Sequence, residues 1–454
     1  MVGIGGSGMS GLAALLLRRG AVVSGSDRQA GPLLERLSAA GARVVTRQSA
    51  DSIPPDAELV VASAAIKPDH PELVEARRRG LPVIKYARLL GAVMAHHEGI
   101  AVAGTHGKST TTAWLAYTLR QAGCDPSFVV GAEVPQLGGG SGVGDGPHFV
   151  AEACEYDRSF LNLAPRLAVI LNIDEDHLDC YSDLADIEQA FAQFAGRTLP
   201  EGLVLLNGDD PACRRLAEHA AGRSELFAVD SPADWLACDL HLRDGRYQFT
   251  ILRRGEPLGT THLGLPGRHN VYNALAVTAL ATHAGVAWPL IDQALRSFRG
   301  AGRRLELRGT FGGLTVVDDY AHHPTEIRAT LRAARERFAP GRLWCVFQPH
   351  QHSRTRFLLE DFARSFTLAD RIVVPRIYFV RDSERERHAI CAADLVERIR
   401  SAGGQAEHIA DFADIVELLL AETQPGDLVI TMGAGDIWKV ADELVGRLGR
   451  HHRD

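Results

Sequence analysis

One segment, residues 104–112, constrains the fold of this 454-residue chain more than any other. It follows the apolar run 100–103 and precedes a helical pattern. A glycine loop between a strand and a helix directs backbone N–H groups and the helix dipole at one place, which favours a bound phosphate. Lys108 can reach the β- and γ-phosphates of a nucleotide, and Ser109 can place its hydroxyl on Mg²⁺. The segment therefore predicts a nucleotide-binding α/β unit, although Val102 stands where the full eight-residue pattern has glycine.

The chain opens with a second glycine turn, with glycine at positions 3, 5 and 8, followed by a helical run and a strand that ends at Asp27. This is the order of a nucleotide-binding strand–helix–strand unit. Glycines at this spacing fit a redox dinucleotide, another phosphate-bearing ligand or close packing of a helix on a strand, and the spacing leaves all three open. Only Met1 and Val2 precede the first glycine, where roughly four to six strand residues are usual, so we expect an internal or trimmed start.

Strand and helix patterns alternate through three successive units. The first predicts strands at 59–63 and 82–84 around a helix at 71–79. The second predicts buried strands at 149–151, 167–171 and 203–206, a glycine-rich loop at 137–147, a hairpin region at 235–265 and a helix at 271–284. The third predicts strands at 314–317, 343–347, 371–374 and 428–431, and helices at 324–337 and 413–421. We therefore expect an α/β fold, with the units divided near residues 98 and 300.

Polar segments follow several of these predicted strands. Residues 152–157 and 172–179 bring carboxylates and His177 to strand ends of the second unit, where they could face the phosphate loop and hold Mg²⁺. The alternative is that these acids cap helices on a solvated loop. Residues 318–324 and 347–354 of the third unit carry four histidines. Their acidic and arginine neighbours, without a cysteine partner, favour a mixed polar site over zinc.

Composition indicates no larger partner. The net charge of -7 and the pI near 6.3 give no electrostatic footprint for nucleic acid or an anionic membrane. No apolar run approaches the roughly 18 residues that span a bilayer, and the start lacks the features of a secretory signal. The seven cysteines show no Cys-x-x-Cys spacing, which disfavours a disulfide framework and a zinc knuckle. We expect a cytoplasmic protein.

Taken together, the motifs resemble those of the Mur ligase family over essentially the whole chain. The resemblance rests on ordered segments at 3–10, 104–111, 152–161, 172–181, 268–274 and 319–326, and on those around His350 and Gly433. It implies an N-terminal Rossmann-like domain at 1–98 for a UDP-sugar and a central P-loop ATPase domain at 99–300 with a mostly parallel sheet. It also implies a C-terminal Rossmann-like domain at 301–454 for an amino acid.

The resemblance further implies an ATP- and Mg²⁺-dependent amide ligase of peptidoglycan precursor synthesis. The lactyl carboxylate of UDP-N-acetylmuramate would attack the γ-phosphate of ATP to give an acyl phosphate, and the amino group of L-alanine would displace phosphate from it. The loop amides, Lys108 and Mg²⁺ would neutralise the charge of two anions that repel each other. Partners would be these small molecules, not nucleic acid or membrane, and the chain would be a monomer or weak homodimer.

Roles carry over from the family position by position. Catalytic roles fall on Lys108, Glu152, His177, His322 and Arg354. Contacts to ATP fall on Gly104, Thr105, His106, Gly107, Lys108, Ser109, Thr110, His269, Asn270, Asn273 and Arg303, with Arg303 or Arg304 as the interdomain phosphate contact. Contacts to the UDP-sugar fall on Gly5, Gly6, Ser7, Gly8, Met9, Ser10, Asp27, Ser63 and Ser159. The amino-acid site comprises Tyr320, His322, His350 and Arg354, and the metal ligands are Ser109, Glu152 and His177.

The chain departs from the family pattern at five positions. Ser109 replaces the commoner Thr, Cys154 an Asp, Tyr156 a Ser, Gly302 a Lys and Gln351 an Arg. The hydroxyl at 109 is retained, and the other changes bear on the amino acid more than on the reaction class.

Three other functions compete with this interpretation. A sister ligase would attach another amino acid or a preformed peptide to the same sugar. An NAD-dependent oxidoreductase would use the first glycine turn, and would leave the Lys108 loop unexplained. A regulatory protein would use bound ATP as a switch, and would release no phosphate in response to a carboxylate substrate.

Overall fold

The structure, a computed structural model, describes residues 1–451, with only the backbone described for Ser7 and His451. Residues 452–454, the end of the predicted third domain, lie outside the described part. Strands and helices alternate along the chain, and a ten-stranded and a six-stranded sheet dominate. The α/β fold expected from the sequence is confirmed.

The first group of elements is built on short parallel strands. It comprises α1 (Ser7–Arg18), β1 (Ser24–Ser26), α2 (Pro32–Ala39), β2 (Arg43–Val45), β3 (Val60–Ala62), α3 (Pro71–Arg78), β4 (Val83–Lys85) and α4 (Tyr86–Met94). Strands β1 and β2 pair in parallel, as do β3 and β4. Val2 bridges the two pairs through Ser26 and Ala62, so the glycine turn that follows it leaves from the centre of this small sheet.

The second group forms the ten-stranded sheet. It comprises β5 (Glu98–Ala103), α5 (Lys108–Gln121), β6 (Ser127–Val129), β7 (Ser141–Gly142), β8 (His148–Glu152), β9 (Leu167–Ile170), α6 (Leu184–Ala195), β10 (Leu203–Asn207), α7 (Pro211–Arg215), β11 (Arg223–Ala228), β12 (Trp235–Arg243), β13 (Arg246–Arg253), β14 (Glu256–His262), α8 (His269–His283) and α9 (Trp288–Ser297). The strand order is β14-β13-β12-β11-β10-β9-β5-β8-β6-β7. Strands β5, β6, β8, β9, β10 and β11 run in parallel, which gathers their carboxyl ends at one edge.

The third group forms the six-stranded sheet. It comprises β15 (Glu306–Phe311), β16 (Leu314–Asp319), α10 (Pro324–Phe338), β17 (Leu343–Phe347), α11 (His352–Phe357), α12 (Leu359–Ala363), β18 (Arg371–Val374), α13 (Glu384–Arg387), α14 (Ala392–Ser401), β19 (Ala406–His408), α15 (Phe412–Glu422), β20 (Leu428–Met432) and α16 (Trp438–His451). The strand order is β15-β16-β20-β17-β18-β19, and only β15 is antiparallel to its neighbour.

Apolar side chains cover both faces of the ten-stranded sheet. Trp114 of α5 and Leu275 of α8 are fully buried on one face. Phe149 and Phe191 are fully buried on the other, where Leu12 of α1 joins the same cluster. The first group therefore packs directly on the central sheet. Among residues 1–451, no helix is long and apolar enough to cross a membrane.

Some elements differ from the sequence-based expectation. The hairpin region 235–265 forms the three antiparallel strands β12, β13 and β14, and the glycine-rich loop 137–147 contains the two-residue strand β7. Strands β15 and β19 lie at the edges of the six-stranded sheet, and the sequence analysis did not predict either of them. Edge strands pair on one side only, so their residues lack the continuous apolar run that marks the buried strands.

Candidate functional site

The predicted phosphate loop lies at the carboxyl end of β5, between Ala103 and Lys108. Gly104 has φ 136° and Gly107 has φ 84°, conformations that favour glycine. A Cβ on Gly104 would lie 3.0 Å from the backbone nitrogen of Leu171. The two glycines therefore let the loop turn tightly against β9 and present the N-terminus of α5 to a ligand.

Lys108 is folded over this loop. Its Nζ donates to the carbonyl oxygens of Gly104 at 2.5 Å and Thr105 at 2.8 Å, and to Glu155 Oε1 at 2.9 Å. Burial disfavours the ammonium, but Glu155, together with Cys154 and Glu152, outweighs burial and raises the pKa of Lys108. Burial likewise opposes ionisation of Glu155, and Lys108 lowers the pKa of that carboxyl. The loop therefore holds a fixed ammonium at its centre.

Two of the three predicted metal ligands lie together. Ser109 Oγ donates to Glu152 Oε1 at 3.2 Å, while the Gly131 N–H donates to Oε2 at 2.8 Å. A hydroxyl and a carboxylate are oxygen ligands of the kind that Mg²⁺ prefers, so this pair fits the predicted ion. The third, His177, has Nε2 at 3.5 Å from Glu155 Oε1. Its buried Nδ1 has no hydrogen-bond partner in the described part of the chain, which leaves a nitrogen for a second ion.

A cavity of about 340 Å³ opens beside the loop, between the second and third groups. Among the residues predicted to contact ATP, those that line it are His106, Gly107, Thr110, His269, Asn270 and Asn273. Asn273 Nδ2 donates to Asn270 Oδ1 at 2.9 Å, which holds the two amides in place. Burial, with a contribution from Arg304, lowers the pKa of His269 to about 4, so its ring is neutral at pH 7. Within this lining, the two amides, the neutral His269 ring and apolar carbon such as that of Leu265 suit a nucleotide base.

Arg303, predicted to contact ATP from the third group, does not line this cavity. Its guanidinium donates to Asp318 Oδ2 at 2.7 Å and to the carbonyl oxygens of Gly433 at 2.7 Å and Gly435 at 3.1 Å. These contacts lie within the third group and occupy all three guanidinium nitrogens. Arg304 lines the cavity instead. The neighbouring residue is therefore better placed than Arg303 to reach a phosphate across the cleft.

The phosphate loop also contacts the third group directly. His106 Nε2 lies 3.1 Å from Asp174 Oδ2, and its Nδ1 lies 3.3 Å from Glu326 Oε1. Thr325 Oγ1 donates to Asp174 Oδ2 at 2.7 Å. Burial disfavours an imidazolium, but the bonds to Asp174 and Glu326 outweigh burial and raise the pKa of His106 to about 9. A protonated His106 between two carboxylates thus ties the loop to the start of α10.

The four residues predicted for the amino-acid site lie side by side. The ring centroids of Tyr320 and His322 are 5.4 Å apart, and those of His322 and His350 are 5.9 Å apart. His322 Nδ1 lies 3.1 Å from the Tyr320 carbonyl oxygen, and His350 Nδ1 lies 3.3 Å from Arg354 Nη1. Burial lowers the pKa of His322 to about 4 and that of His350 to about 3. Both rings are therefore neutral at pH 7.

The partners of these two rings assign them opposite tautomers. A carbonyl oxygen can only accept, so His322 carries its hydrogen on Nδ1 and keeps a lone pair on Nε2. The Arg354 guanidinium can only donate, so His350 Nδ1 accepts and the hydrogen lies on Nε2. One ring therefore offers an acceptor nitrogen and the other a donor.

Arg354 joins this cluster to the second group. Its Nε and Nη2 donate to Asp176 Oδ1 at 2.9 and 2.8 Å, and both side chains are only 7% exposed. Asp176 Oδ2 in turn lies 3.9 Å from His177 Nε2. A continuous series of charged and polar side chains therefore runs from Lys108 through Glu155, His177 and Asp176 to Arg354.

The predicted UDP-sugar contacts separate into several environments. The Gly5 N–H donates to Asp27 Oδ2 at 2.9 Å, so the acid at the end of β1 organises the glycine turn. Asp27, Gly6 and Ser63 line a cavity of about 700 Å³ on the first group. Gly8 faces Tyr86 of α4, whose hydroxyl oxygen would lie 2.6 Å from a Cβ at that position. The lack of a side chain at position 8 thus lets Tyr86 approach the turn.

Other predicted sugar contacts lie away from that cavity. Met9 is 3% exposed and packs in the core cluster below the central sheet. Ser10 is buried in α1. Ser159 lies in the 3-10 helix Tyr156–Asn162 of the second group, where its carbonyl accepts from Asn162 Nδ2 at 3.0 Å. The side chain of Ser7 lies outside the described part.

The sequence-based predictions missed several residues of this region. They are Glu155, Asp174, Asp176, Thr325, Glu326, Tyr378, Arg381 and Asp382. Five of them lie inside segments that were singled out as polar strand ends or family motifs, so those segments carried the signal that could have found them. The last three lie in a loop after β18 that has no periodicity and no motif.

Known proteins and protein-family models are similar to this chain along its length. Residues 1–98 match the Mur ligase family catalytic domain, residues 102–281 the Mur ligase middle domain, and residues 303–435 the Mur ligase glutamate ligase domain. A UDP-N-acetylmuramate--L-alanine ligase of Pelotomaculum thermopropionicum is 43% identical over 454 residues, which is 100% of this chain and 98% of the relative. One from Lachnospira eligens is 43% identical over 447 residues, covering 98% and 97% of the two chains.

Solved structures agree with these relatives. A UDP-N-acetylmuramate-alanine ligase from Thermotoga maritima superposes with a TM-score of 0.82 at 28% identity, covering 99% of this chain and 98% of that one. A murein peptide ligase from Psychrobacter arcticus superposes with a TM-score of 0.70 at 27% identity, with the same coverage.

Proposed function

The chain belongs to the Mur ligase family, and on that premise we propose that it joins L-alanine to the lactyl carboxylate of UDP-N-acetylmuramate with consumption of ATP. The products are the amide, ADP and phosphate. Relatives that carry the name of this activity match the chain over nearly the full length of both sequences, which supports the same reaction here. The enzyme is thus an ATP-dependent carbon–nitrogen ligase of peptidoglycan precursor synthesis.

The observation that carries this proposal is the polar series between Lys108 and Arg354. It begins at a phosphate loop, with Lys108 Nζ 2.8 Å from Glu155 Oε2, and ends at the Arg354 pair with Asp176 at 2.8 Å. A ligase that activates a carboxylate with ATP needs its phosphate site and its amine site within reach of one carbon atom. A simple nucleotide switch needs no such connection.

In the first step a carboxylate oxygen forms a bond to the γ-phosphorus, and the bond to the β-phosphate oxygen breaks to release ADP. Both reactants are anions, so catalysis depends on neutralising their charge. The Lys108 ammonium and the N–H groups at the start of α5 supply positive charge at this place. Glu155 keeps that ammonium protonated and positioned when no nucleotide is present.

In the second step the alanine nitrogen bonds to the acyl carbon, and the carbon–oxygen bond to phosphate breaks with its electron pair leaving on phosphate. The amine enters as an ammonium and must lose a proton before it can attack. Neutral His322, with its lone pair on Nε2, can accept a hydrogen bond from this ammonium and orient it, and the proton leaves to solvent. The donor Nε2–H of His350 can hydrogen-bond an oxygen of the acyl phosphate.

Ser109 and Glu152 would hold Mg²⁺, with a second ion at His177, and the metal would neutralise phosphate charge and orient the γ-phosphate. The other residues of the nucleotide site have roles that do not involve the metal. The buried Asn270 and Asn273 amides would bind the base, and Arg304 would reach a phosphate from the third domain.

We also propose the domain limits 1–98, 99–300 and 301–454, since each family match falls inside one of these ranges. The three sets of candidate groups come from one chain, so the site needs no second copy, in keeping with a monomer or weak homodimer. The partners are small molecules. We propose a cytoplasmic location for the enzyme, which is consistent with its two nucleotide substrates.

The test is phosphate release from ATP with Mg²⁺ and UDP-N-acetylmuramate, with L-alanine, glycine, L-serine or no amino acid. We expect release that depends on both the sugar nucleotide and L-alanine. Phosphate release with another amine would support the ligase reaction but indicate a sister ligase that attaches a different amino acid. Release that ignores the sugar nucleotide would contradict the proposed reaction.

A further inference from the structure

A loop of the third domain, residues 376–382, closes one side of the amino-acid cluster. The Tyr378 N–H donates to the Pro349 carbonyl at 2.8 Å, and the Gln351 N–H donates to the Tyr378 carbonyl at 3.0 Å. The Tyr378 ring stacks on His350 with centroids 5.5 Å apart and planes at 12°. Backbone and ring contacts therefore fix the start of the loop against the strand end that carries His350.

The other end of the loop is fixed as firmly. Asp382 Oδ2 accepts from the His352 N–H at 2.5 Å, and Asp382 Oδ1 accepts from Ser353 Oγ at 2.6 Å. Between the two anchors, Arg381 has φ 61°, a left-handed conformation that costs a non-glycine residue on the order of 1 kcal/mol. The two anchors therefore fix the backbone on both sides of Arg381.

Arg381 crosses the cleft to the second domain. Its guanidinium carbon lies 4.5 Å from the centroid of the Tyr156 ring. Tyr156 itself packs edge-on against His177, with centroids 5.1 Å apart, and Tyr156 Oη donates to Asp179 at 3.3 Å. The ring therefore supports the guanidinium plane beside the His177 end of the polar series.

Two arginines of the cleft, Arg304 and Arg381, have no acidic partner in the described part of the chain, and Arg304 lines the cavity beside the phosphate loop. Arg354 is paired with Asp176 at 2.8 Å, and Arg303 with Asp318 at 2.7 Å. Within residues 1–451, no carboxylate oxygen lies within 4.0 Å of the Arg381 guanidinium, and its one ring contact is Tyr156. The positive charge of Arg381 contributes to the lowered pKa of His350, after burial, His322 and Arg354, so it acts on the amino-acid cluster.

We infer that Arg381 binds the carboxylate of the incoming amino acid, an assignment that rests on the proposed function. The other anions of the reaction have places of their own: the phosphates of ATP beside Lys108, the lactyl carboxylate next to the γ-phosphate, and the sugar diphosphate at the first glycine turn. The amino-acid carboxylate belongs with His322 and His350. A planar guanidinium without an acidic partner, on the loop whose Tyr378 stacks on His350, matches a carboxylate in two parallel hydrogen bonds.

The test compares Arg381→Ala with Arg376→Ala. Arg376 lies in the same loop, and its guanidinium pairs with Asp411 at 3.2 Å on the surface, so its removal is a matched change of charge. For Arg381→Ala we expect KM for L-alanine to rise roughly 10- to 100-fold, the loss of one charged hydrogen-bonded contact, with KM for ATP and UDP-N-acetylmuramate within about twofold. Arg381→Lys should lie between the wild type and Arg381→Ala. Arg376→Ala should match the wild type.

A second substrate separates recognition from structure. L-Alaninamide has the amine but no carboxylate, so the wild type should favour L-alanine strongly over it, and Arg381→Ala should lose most of that preference. An unchanged preference, or a rise in KM for the sugar nucleotide in place of L-alanine, would overturn the assignment. If the wild type itself releases no phosphate with L-alanine, the proposed function fails, which is a separate result.

Discussion

Arg354 of the third domain and Asp176 of the second form an ion pair, with Nη2 and Oδ1 2.8 Å apart and both side chains 7% exposed. The pair joins residues that are 178 positions apart in the chain. It lies between the phosphate site and the amino-acid cluster, because Asp176 also faces His177 and Arg354 also faces His350. The relative position of the two domains is therefore held by charges that belong to the site itself.

Removal of one partner of this pair should be costly. Arg354→Met leaves the Asp176 carboxylate buried without its cation, and we expect a loss of about 3–5 kcal/mol in the free energy of unfolding together with loss of turnover. Arg354→Met combined with Asp176→Leu should recover most of the stability and none of the activity. Chemical denaturation and phosphate release measure the two effects. Equal stability of the single and double variants would contradict the buried pair.

Lys108→Ala separates catalysis from folding in a similar way. The variant should lose phosphate release by at least about a thousandfold, since the ammonium neutralises charge in the transition state. It should also be destabilised, because Glu155 is buried and loses its counter-ion. Lys108→Ala with Glu155→Gln is the control that should restore the melting temperature while turnover stays absent. Turnover near that of the wild type in either variant would remove Lys108 from the mechanism.

The Ser109–Glu152 pair predicts a shift in metal requirement. Glu152→Gln keeps the size of the side chain and removes its charge, so the Mg²⁺ concentration that gives half-maximal phosphate release should rise roughly tenfold or more. Asp145→Asn is a matched control, since that carboxylate is 82% exposed and pairs with Arg18 at the surface. A Mg²⁺ dependence identical to that of the wild type would place the ion elsewhere.

His106 predicts how stability depends on pH. Its pKa is raised to about 9 in the folded protein from 6.5 in the unfolded chain, so the folded state binds the extra proton between these values. Its contribution is fully present below pH 6.5 and is lost as pH rises through 9, by up to about 3 kcal/mol. His106→Gln should flatten the fall in unfolding free energy over pH 6.5–9. An equal slope in both proteins would show that His106 is not the titrating group.

His322, His350 and His269 predict the opposite sign at lower pH. Their folded pKa values of about 4, 3 and 4 lie below the unfolded 6.5, so the unfolded chain binds more protons as pH falls. Stability contributed by their neutral forms is present above pH 6.5 and is lost toward pH 4. Denaturation at pH 7 and pH 4.5 with His322→Asn should show a smaller acid loss than the wild type. A larger loss in the variant would contradict a neutral His322.

Elements with strong local signals were predicted closely. Strands β17 and β18 occupy the predicted residues 343–347 and 371–374, and α3 spans Pro71–Arg78 against a predicted 71–79. The signals are runs of buried apolar residues, a proline at a helix start and a glycine loop before a lysine. Each of them depends on only a few neighbouring residues. An edge strand such as β19 forms because it pairs with the adjacent strand, so its own residues do not show a pattern that predicts it.

The position of Lys108 and Ser109 after a strand and at the start of a helix could be predicted from the amino-acid sequence, because that arrangement depends only on the local backbone. The strand ends that carry carboxylates and histidines could be predicted in the same way. Which of these groups contact one another depends on the tertiary structure. Asp176 pairs with Arg354 and Arg381 lies over Tyr156 because the fold brings loops from distant parts of the chain together. Electrostatic contacts of this kind depend on separation in space, and spacing along the chain does not encode it.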